Sequence, residues 1–232
     1  MILCIETATP VCSVALCNQD GVVSLKESHE NKSHASLLSV FIIDILKEQR
    51  IAASDLEAVA VSKGPGSYTG LRIGVSTAKG IAYAAGIPVI GIETTRSLFE
   101  GMKLAAAEKG VFDSGSIFVP MIDARRMEVF YCMYDSSGRK IKEINAGIID
   151  ENMFSALPSD KKIILAGDGA SKAKGVINSG NMNYFDDIVI SAKEMRLPAY
   201  EAFREKKFED IAYFEPFYLK DFIATIPKNK IF

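Results

Sequence analysis

Two acids stand where an apolar strand gives way to a short turn. They are Glu6, in Ile2-Leu-Cys-Ile-Glu-Thr-Ala, and Asp123, in Ile122-Asp-Ala-Arg-Arg-Met-Glu-Val-Phe. Acids at equivalent turns of two lobes could face one cleft, where a nucleotide-hydrolysing enzyme would work on its phosphates. Such enzymes surround the phosphates with glycine and Ser/Thr. Here the turns read Glu-Thr-Ala-Thr-Pro and Asp-Ala-Arg-Arg, both without glycine, the second bulky and basic. An ATP-hydrolysing cleft is therefore not expected, although Gly167-Asp-Gly-Ala could mark a remnant nucleotide turn. The simpler expectation is that each acid braces its own turn.

The run Gly64-Pro65-Gly66-Ser67-Tyr68-Thr69-Gly70-Leu71-Arg72-Ile73-Gly74 lies between a strand and a helix, where a helix N-terminus could hold an anion. It fails the phosphate-loop pattern, because no lysine follows a glycine at the required offset. A tight strand-to-helix turn with Ser67 or Thr69 as N-cap fits better. His29 and His34 are the only histidines and have no Cys or Asp at ligand spacing; a loop or helix-capping position suits both. Cys4, Cys12, Cys17 and Cys132 sit in apolar runs, in none of the usual zinc spacings, and read as reduced core thiols of a cytosolic protein. No metal or cofactor site is expected.

The elements that must position these residues form two similar series. Residues 2–7, 12–17 and 22–28 read as a three-stranded meander with a turn at Asn18-Gln-Asp-Gly, followed by a helix over 33–50. A strand at 57–62, a helix to about Ala85, a strand at 89–92 and a helix over 95–109 complete the first series. Strands at 117–122 and 128–134 and a segment over 139–149 then repeat the opening meander. A strand at 163–166 and helices over 171–179 and 195–207 follow. This predicts an α/β protein of two related lobes, each a mixed sheet with helices. The expected boundaries are 1–110 and 111–232, the aromatic tail packing back on the body, with the first lobe as a candidate surface.

Two helices carry features that the lobes do not explain. Leu37, Leu38, Phe41, Ile42, Ile45 and Leu46 make the core stripe of the helix over 33–50, yet Val40 and Ile43 lie on the opposite arc beside Ser36, Ser39 and Lys47. Either a second helix of the chain or a protein partner must cover that arc. In the next helix Gly70, Gly74 and Ala78 fall at i, i+4 and i+8 with Thr77 alongside, a row that lets a neighbour approach closely. Gly74 and Gly80 each cost about 1 kcal/mol in a helix interior, so close packing is expected of them.

The chain has 232 residues, 48% hydrophobic and 24% charged, with a net charge of −2, which excludes a disordered chain. Acids and bases are interspersed, and the modest cluster Lys161, Lys162, Lys172 and Lys174 is no basic face of the kind a strong stand-alone nucleic-acid binder carries. No apolar run reaches the roughly 18 residues of a membrane span. The first residues read as a strand rather than a signal peptide.

In order along the chain come Ile-Leu-Cys-Ile-Glu-Thr-Ala, GPGSYTGLRIGVSTAKGIA, Ile122-Asp-Ala-Arg-Arg-Met-Glu-Val-Phe, Gly167-Asp-Gly-Ala and Glu215-Pro-Phe-Tyr-Leu-Lys. Together they resemble the bacterial TsaB (YeaZ) family, with Gly64, Pro65, Gly66, Ser67, Thr69, Gly70, Arg72 and Asp123 as motif positions. Glu6, Tyr68 and Lys220 depart from the family's usual Asp, Phe and Arg. The resemblance implies a two-lobed actin-like ATPase (ASKHA) fold and a cytoplasmic, non-catalytic role in making threonylcarbamoyladenosine in tRNA. It implies a heterodimer with the transferase paralogue TsaD, the TsaE ATPase in the larger complex, and tRNA contact only through the complex. A homodimer is a further reading, and no membrane is involved. The paralogue's two metal-binding histidines fall at Thr94 and Leu98 here. The partner surface it implies is the helix pair, with Ser36, Ser39, Val40, Ile43, Lys47, Gly70, Gly74, Thr77 and Ala78. The competing reading is a stand-alone hydrolase, an ATPase or glycopeptidase-like enzyme.

Overall fold

The computed structural model describes residues 1–30, 34–111, 113–177 and 179–220, so the helix start expected at Ser33 and the last twelve tail residues lie outside the described residues. β1 (Ile2–Glu6), β2 (Cys12–Cys17) and β3 (Val22–Ser28) form the expected meander, with antiparallel pairing throughout. The Asn18 side chain accepts from the Asp20 and Gly21 amides and shapes the β2–β3 turn. α1 (His34–Gln49) leads to β4 (Ala58–Gly64), which lies parallel to β1. α2 (Tyr68–Ala85) then leads to β5 (Val89–Glu93), parallel to β4. The sheet order is β3-β2-β1-β4-β5. β1 and β2 are buried at every residue, because helices cover both faces of the sheet; this is why they read as continuous apolar runs.

α3 (Thr94–Glu108) bridges to the second series: β6 (Ile117–Asp123), β7 (Glu128–Asp135), β8 (Lys140–Ile148), β9 (Ile163–Ala166), α4 (Ala170–Lys174), β10 (Met182–Phe185) and α5 (Arg196–Arg204). The second sheet has the order β10-β9-β6-β7-β8. Taken from its other edge, it is three strands of meander, then two parallel strands, with β6 in the place of β1. β10 was not expected from sequence: Met-Asn-Tyr-Phe is four residues long, has no alternation and lies on the sheet edge.

The boundary at 110/111 separates the two sheets but not their helices. α3 belongs to the first half of the chain, yet Leu98, Phe99, Met102 and Ala106 pack on Phe118, Ile122 and Ile164 of the second sheet. Conversely, Ala192, Met195, Ala199 and Tyr200 of the second half pack on Ile2, Cys4, Ala15, Ala60 and Ile90 of the first. The two crossed segments meet between the sheets, where Arg96 bridges Glu100 at 2.7 Å and Glu201 at 3.3 Å. α1 and α2 cover the outer face of the first sheet, and α4 covers the outer face of the second. All four cysteines are buried and free.

Candidate functional site

Three of the four glycines of the Gly64–Gly74 run, Gly66, Gly70 and Gly74, are explained by the β1–β2 turn. A Cβ at Gly66 would lie 2.4 Å from the Ala8 carbonyl oxygen, one at Gly70 2.0 Å from the Thr7 carbonyl oxygen, and one at Gly74 2.3 Å from Thr7 Oγ1. The turn thus lies in a groove along α2. It is fixed there by the Ser67 amide donating to Ala8 O at 2.7 Å and Thr7 Oγ1 donating to Gly70 O at 2.8 Å. Ser67 is the N-cap, its hydroxyl accepting from the Gly70 amide at 3.2 Å. Gly70, Gly74 and Ala78 are buried against the chain's own first sheet, so they do not belong to an outward partner surface. The spacing marked a close neighbour, but not that the neighbour was the turn after β1. Gly80 is exposed, with nothing near it, and close packing does not explain it.

The outer arcs of α1 and α2 are a different matter. Leu38, Ile42 and Ile45 are buried, with Leu37, Phe41 and Leu46 at the edges of the core. Ser36, Ser39, Val40, Ile43 and Lys47 form one exposed arc, with Val40 46% and Ile43 49% accessible. On α2 beside it, Thr69, Arg72, Ser76 and Tyr83 are exposed, Tyr83 to 80%, while Thr77 is half-buried on the flank. Among the described residues nothing covers Val40 and Ile43. Sequence reading missed Ser76 and Tyr83. They continue the Arg72 row at helical spacing, each one residue past the buried Leu71, Val75 and Ala82, and that offset was the available signal.

Glu6 and Asp123 end topologically matching strands, but they are not a pair. Each braces its own turn: Glu6 Oε1 accepts from the Ala8 amide at 2.6 Å, and Asp123 Oδ1 accepts from the Arg125 amide at 2.5 Å. Glu6 is fully buried, and burial pushes its carboxyl up to about 7 against the hydrogen bonds from Ala8, Ser62 and Thr7. The acid of the second lobe whose charge Glu6 feels is Asp168. Asp168 lines an interlobe hollow of about 310 Å³ with Thr9, Gly167 and Ser171, and it accepts from the Asp123 amide at 2.9 Å. Its edge meets water, but the cleft walls strip enough hydration to raise its carboxyl, and the Asp123 charge adds to this. The amide of Ala8, at the turn where a phosphate cradle would need donors, is already given to Glu6. Among the described residues no group of three His, Cys, Asp or Glu is placed to hold a metal ion. His34 is neither a loop residue nor a side-chain cap; it is buried at the start of α1, with Nε2 at 2.7 Å from Thr9 O.

At the β6–β7 turn Arg125 and Arg126 both adopt left-handed backbone, φ 68° and 51°. For an L-residue with a bulky side chain this costs about 1–2 kcal/mol each.

The tail returns to the first sheet. Glu209 bridges Val89, Phe214 enters the core under α2, and the Phe217 amide donates to Lys63 O at 2.6 Å. Gly64, at φ 115°, has no room for a side chain because Phe217 O would lie 2.5 Å from a Cβ. Tyr218 stacks on Tyr68 at 4.9 Å and accepts from Arg72 Nε at 3.1 Å, so Arg72 anchors the tail. Lys220 then pairs with Glu128 of the second lobe.

Two sheets of the same strand order, with helices exchanged between them, place the chain in the two-lobed actin-like ATPase fold. That fold recurs at a TM-score of 0.52 and 8% identity in the activator of the 2-hydroxyisocaproyl-CoA dehydratase from Clostridium difficile, over 89% of this chain and 96% of that one. The family model described as "TsaD: tRNA N6-adenosine threonylcarbamoyltransferase" matches residues 21–213. The Escherichia coli (strain K12) tRNA threonylcarbamoyladenosine biosynthesis protein TsaB is 30% identical over 96% of both chains. YeaZ from Pseudomonas aeruginosa superposes with a TM-score of 0.78 at 23% identity, covering 94% of this chain and 99% of that one. The chain belongs to the TsaB family. No described helix is long and apolar enough to cross a membrane.

Proposed function

We propose that this chain serves tRNA threonylcarbamoyladenosine biosynthesis as the non-catalytic partner of a TsaD-type transferase of its own fold. The observation that carries this reading is the exposed apolar arc of α1, Val40 and Ile43, which no described residue covers; Tyr83 on α2 is exposed as well. Val40 and Ile43 adjoin on one helix face opposite the core stripe, and among the described residues that face has no cover. A second protein seated there would bury them. Ser36, Ser39, Lys47, Arg72 and Thr77 border the same surface. The name carried by the E. coli relative supports the pathway. A non-catalytic role is supported by turns whose amides are spent on Glu6 and Asp123, and by Thr94 and Leu98, both buried, at the positions where the resemblance puts the paralogue's histidines. The work is cytoplasmic, TsaE joins the same assembly, and tRNA is modified on the complex.

The test is to mix the chain with the transferase paralogue and follow complex mass and tRNA modification together. The expected result is a defined heterodimer and modification that needs both proteins. Modification by this chain alone, or a transferase indifferent to its presence, would overturn the reading.

A further inference from the structure

We propose that the β6–β7 turn, through Arg125 and Arg126, is a contact for the phosphodiester backbone of RNA. This rests on the tRNA pathway proposed above, but its test does not depend on a partner protein.

The argument starts from the backbone. Arg125 and Arg126 are consecutive, exposed and both left-handed, in positions that glycine or asparagine fills without strain. The turn is not loose: the Ala124 amide donates to Glu128 O at 3.1 Å, the Arg125 amide to Asp123 Oδ1 at 2.5 Å, and Lys172 Nζ to Arg126 O at 2.7 Å. Strain held in place by surrounding bonds points to the side chains it presents. Of the three nearby acids, Asp123 is paired with Lys172 and Glu128 with Lys220, while Asp168 accepts from the Asp123 amide. Among the described residues no carboxylate pairs with either guanidinium. The turn therefore offers two exposed guanidinium forks on a fixed backbone, and planar forks suit bidentate phosphate recognition.

Phosphate is favoured over an acidic protein surface by location and charge. The turn belongs to the second lobe, whereas the uncovered apolar arc lies on the outer layer of the first. A protein held on that arc leaves the turn open. At a net charge of −2 the chain has no diffuse attraction for RNA, so a contact must be local, and this turn sets two consecutive exposed arginines side by side.

The experiment measures anisotropy of a labelled tRNA transcript titrated with the full chain, alone and with the transferase, over a salt series. Wild type should bind weakly and salt-dependently. Arg125→Gly/Arg126→Gly should lose roughly tenfold in affinity, with a salt slope shallower by about 1.5, the share of two phosphates. Its melting temperature should hold or rise, since glycine relieves the left-handed strain; Arg125→Asn/Arg126→Asn is the second variant should the glycine pair fold poorly. Lys161→Ala/Lys162→Ala, at the far end of β9, should leave binding unchanged. Absence of RNA binding by wild type in both settings would overturn the proposal, as would a glycine pair with unaltered affinity and slope. A glycine pair that keeps RNA binding but loses the transferase would show a protein contact instead.

Discussion

Thr7 sits in the groove of α2 with its hydroxyl donating to Gly70 O at 2.8 Å, and a Cβ on Gly74 would lie 2.3 Å from the same hydroxyl oxygen. The small-residue row is therefore an internal seam. Gly74→Ala should destabilise the chain by about 1–3 kcal/mol through overpacking, despite alanine's better helix propensity. Thr7→Ala removes the offending oxygen, so the double variant should be more stable than the sum of the single effects. Denaturant melts of the four proteins measure the coupling. Additive effects would show that the seam is not where the cost arises.

Val40→Glu should melt like wild type, because its side chain is already 46% accessible. In a complex seated on α1 it would bury an unpaired carboxylate. A loss of roughly 3 kcal/mol would weaken association more than a hundredfold. Ile42→Glu, buried on the core stripe, should damage folding itself. Co-elution with the transferase paralogue beside a thermal melt separates the two. A normally melting Val40→Glu protein that still co-elutes would exclude this arc.

Glu6 sets a pH dependence. Its carboxyl keeps a proton up to about 7 in the folded chain, while the unfolded chain releases it near 4.5. Between those values the native state binds more protons, so stability falls as pH rises through the window and levels off above it. The full effect is on the order of 3 kcal/mol. Glu6→Gln keeps the acceptor for the Ala8 amide and removes the ionisation. It should flatten most of the decline and exceed wild type in melting temperature at about pH 8. Asp168, Glu100 and Glu194, raised first by burial, add a residual slope of the same sign.

Phe214 joins the core under α2, and Lys79 Nζ donates to its carbonyl at 3.0 Å. Phe214→Ala should cost about 3 kcal/mol. It should also release the tail to limited proteolysis while the sheets persist. A variant with wild-type stability and an uncut tail would show that the strap does not depend on this anchor.

What the sequence made legible followed from local periodicity. The meanders at 2–28 and 117–149, the N-cap narrowed to Ser67 or Thr69, and the outward arc of α1 all rest on patterns within twenty or so residues. What escaped were relations between distant segments. Nothing in Leu98-Phe99-Met102 says which sheet that apolar face covers. Nothing in Gly70-x-x-x-Gly74 says that the neighbour is a turn made sixty residues earlier. Asp168 escaped as the acid near Glu6 because it stands on the turn after β9 rather than at the end of β6. Arg125 and Arg126 looked merely bulky and basic, since left-handed backbone leaves no trace in residue type unless glycine fills it.

The crossed helices bear on how the chain is made. β1 leaves the ribosome long before Ala192, Met195, Ala199 and Tyr200, on which one of its faces packs. At translation rates of roughly 5–20 residues per second, Ile2 and Cys4 stand uncovered for about ten to forty seconds. A nascent chain halted after the first five strands would present a bare apolar sheet to chaperones, and no fragment ending near residue 110 would be an independent lobe. The first sheet is completed by residues 192–200, so a fragment must reach at least that far before both faces of β1 are buried.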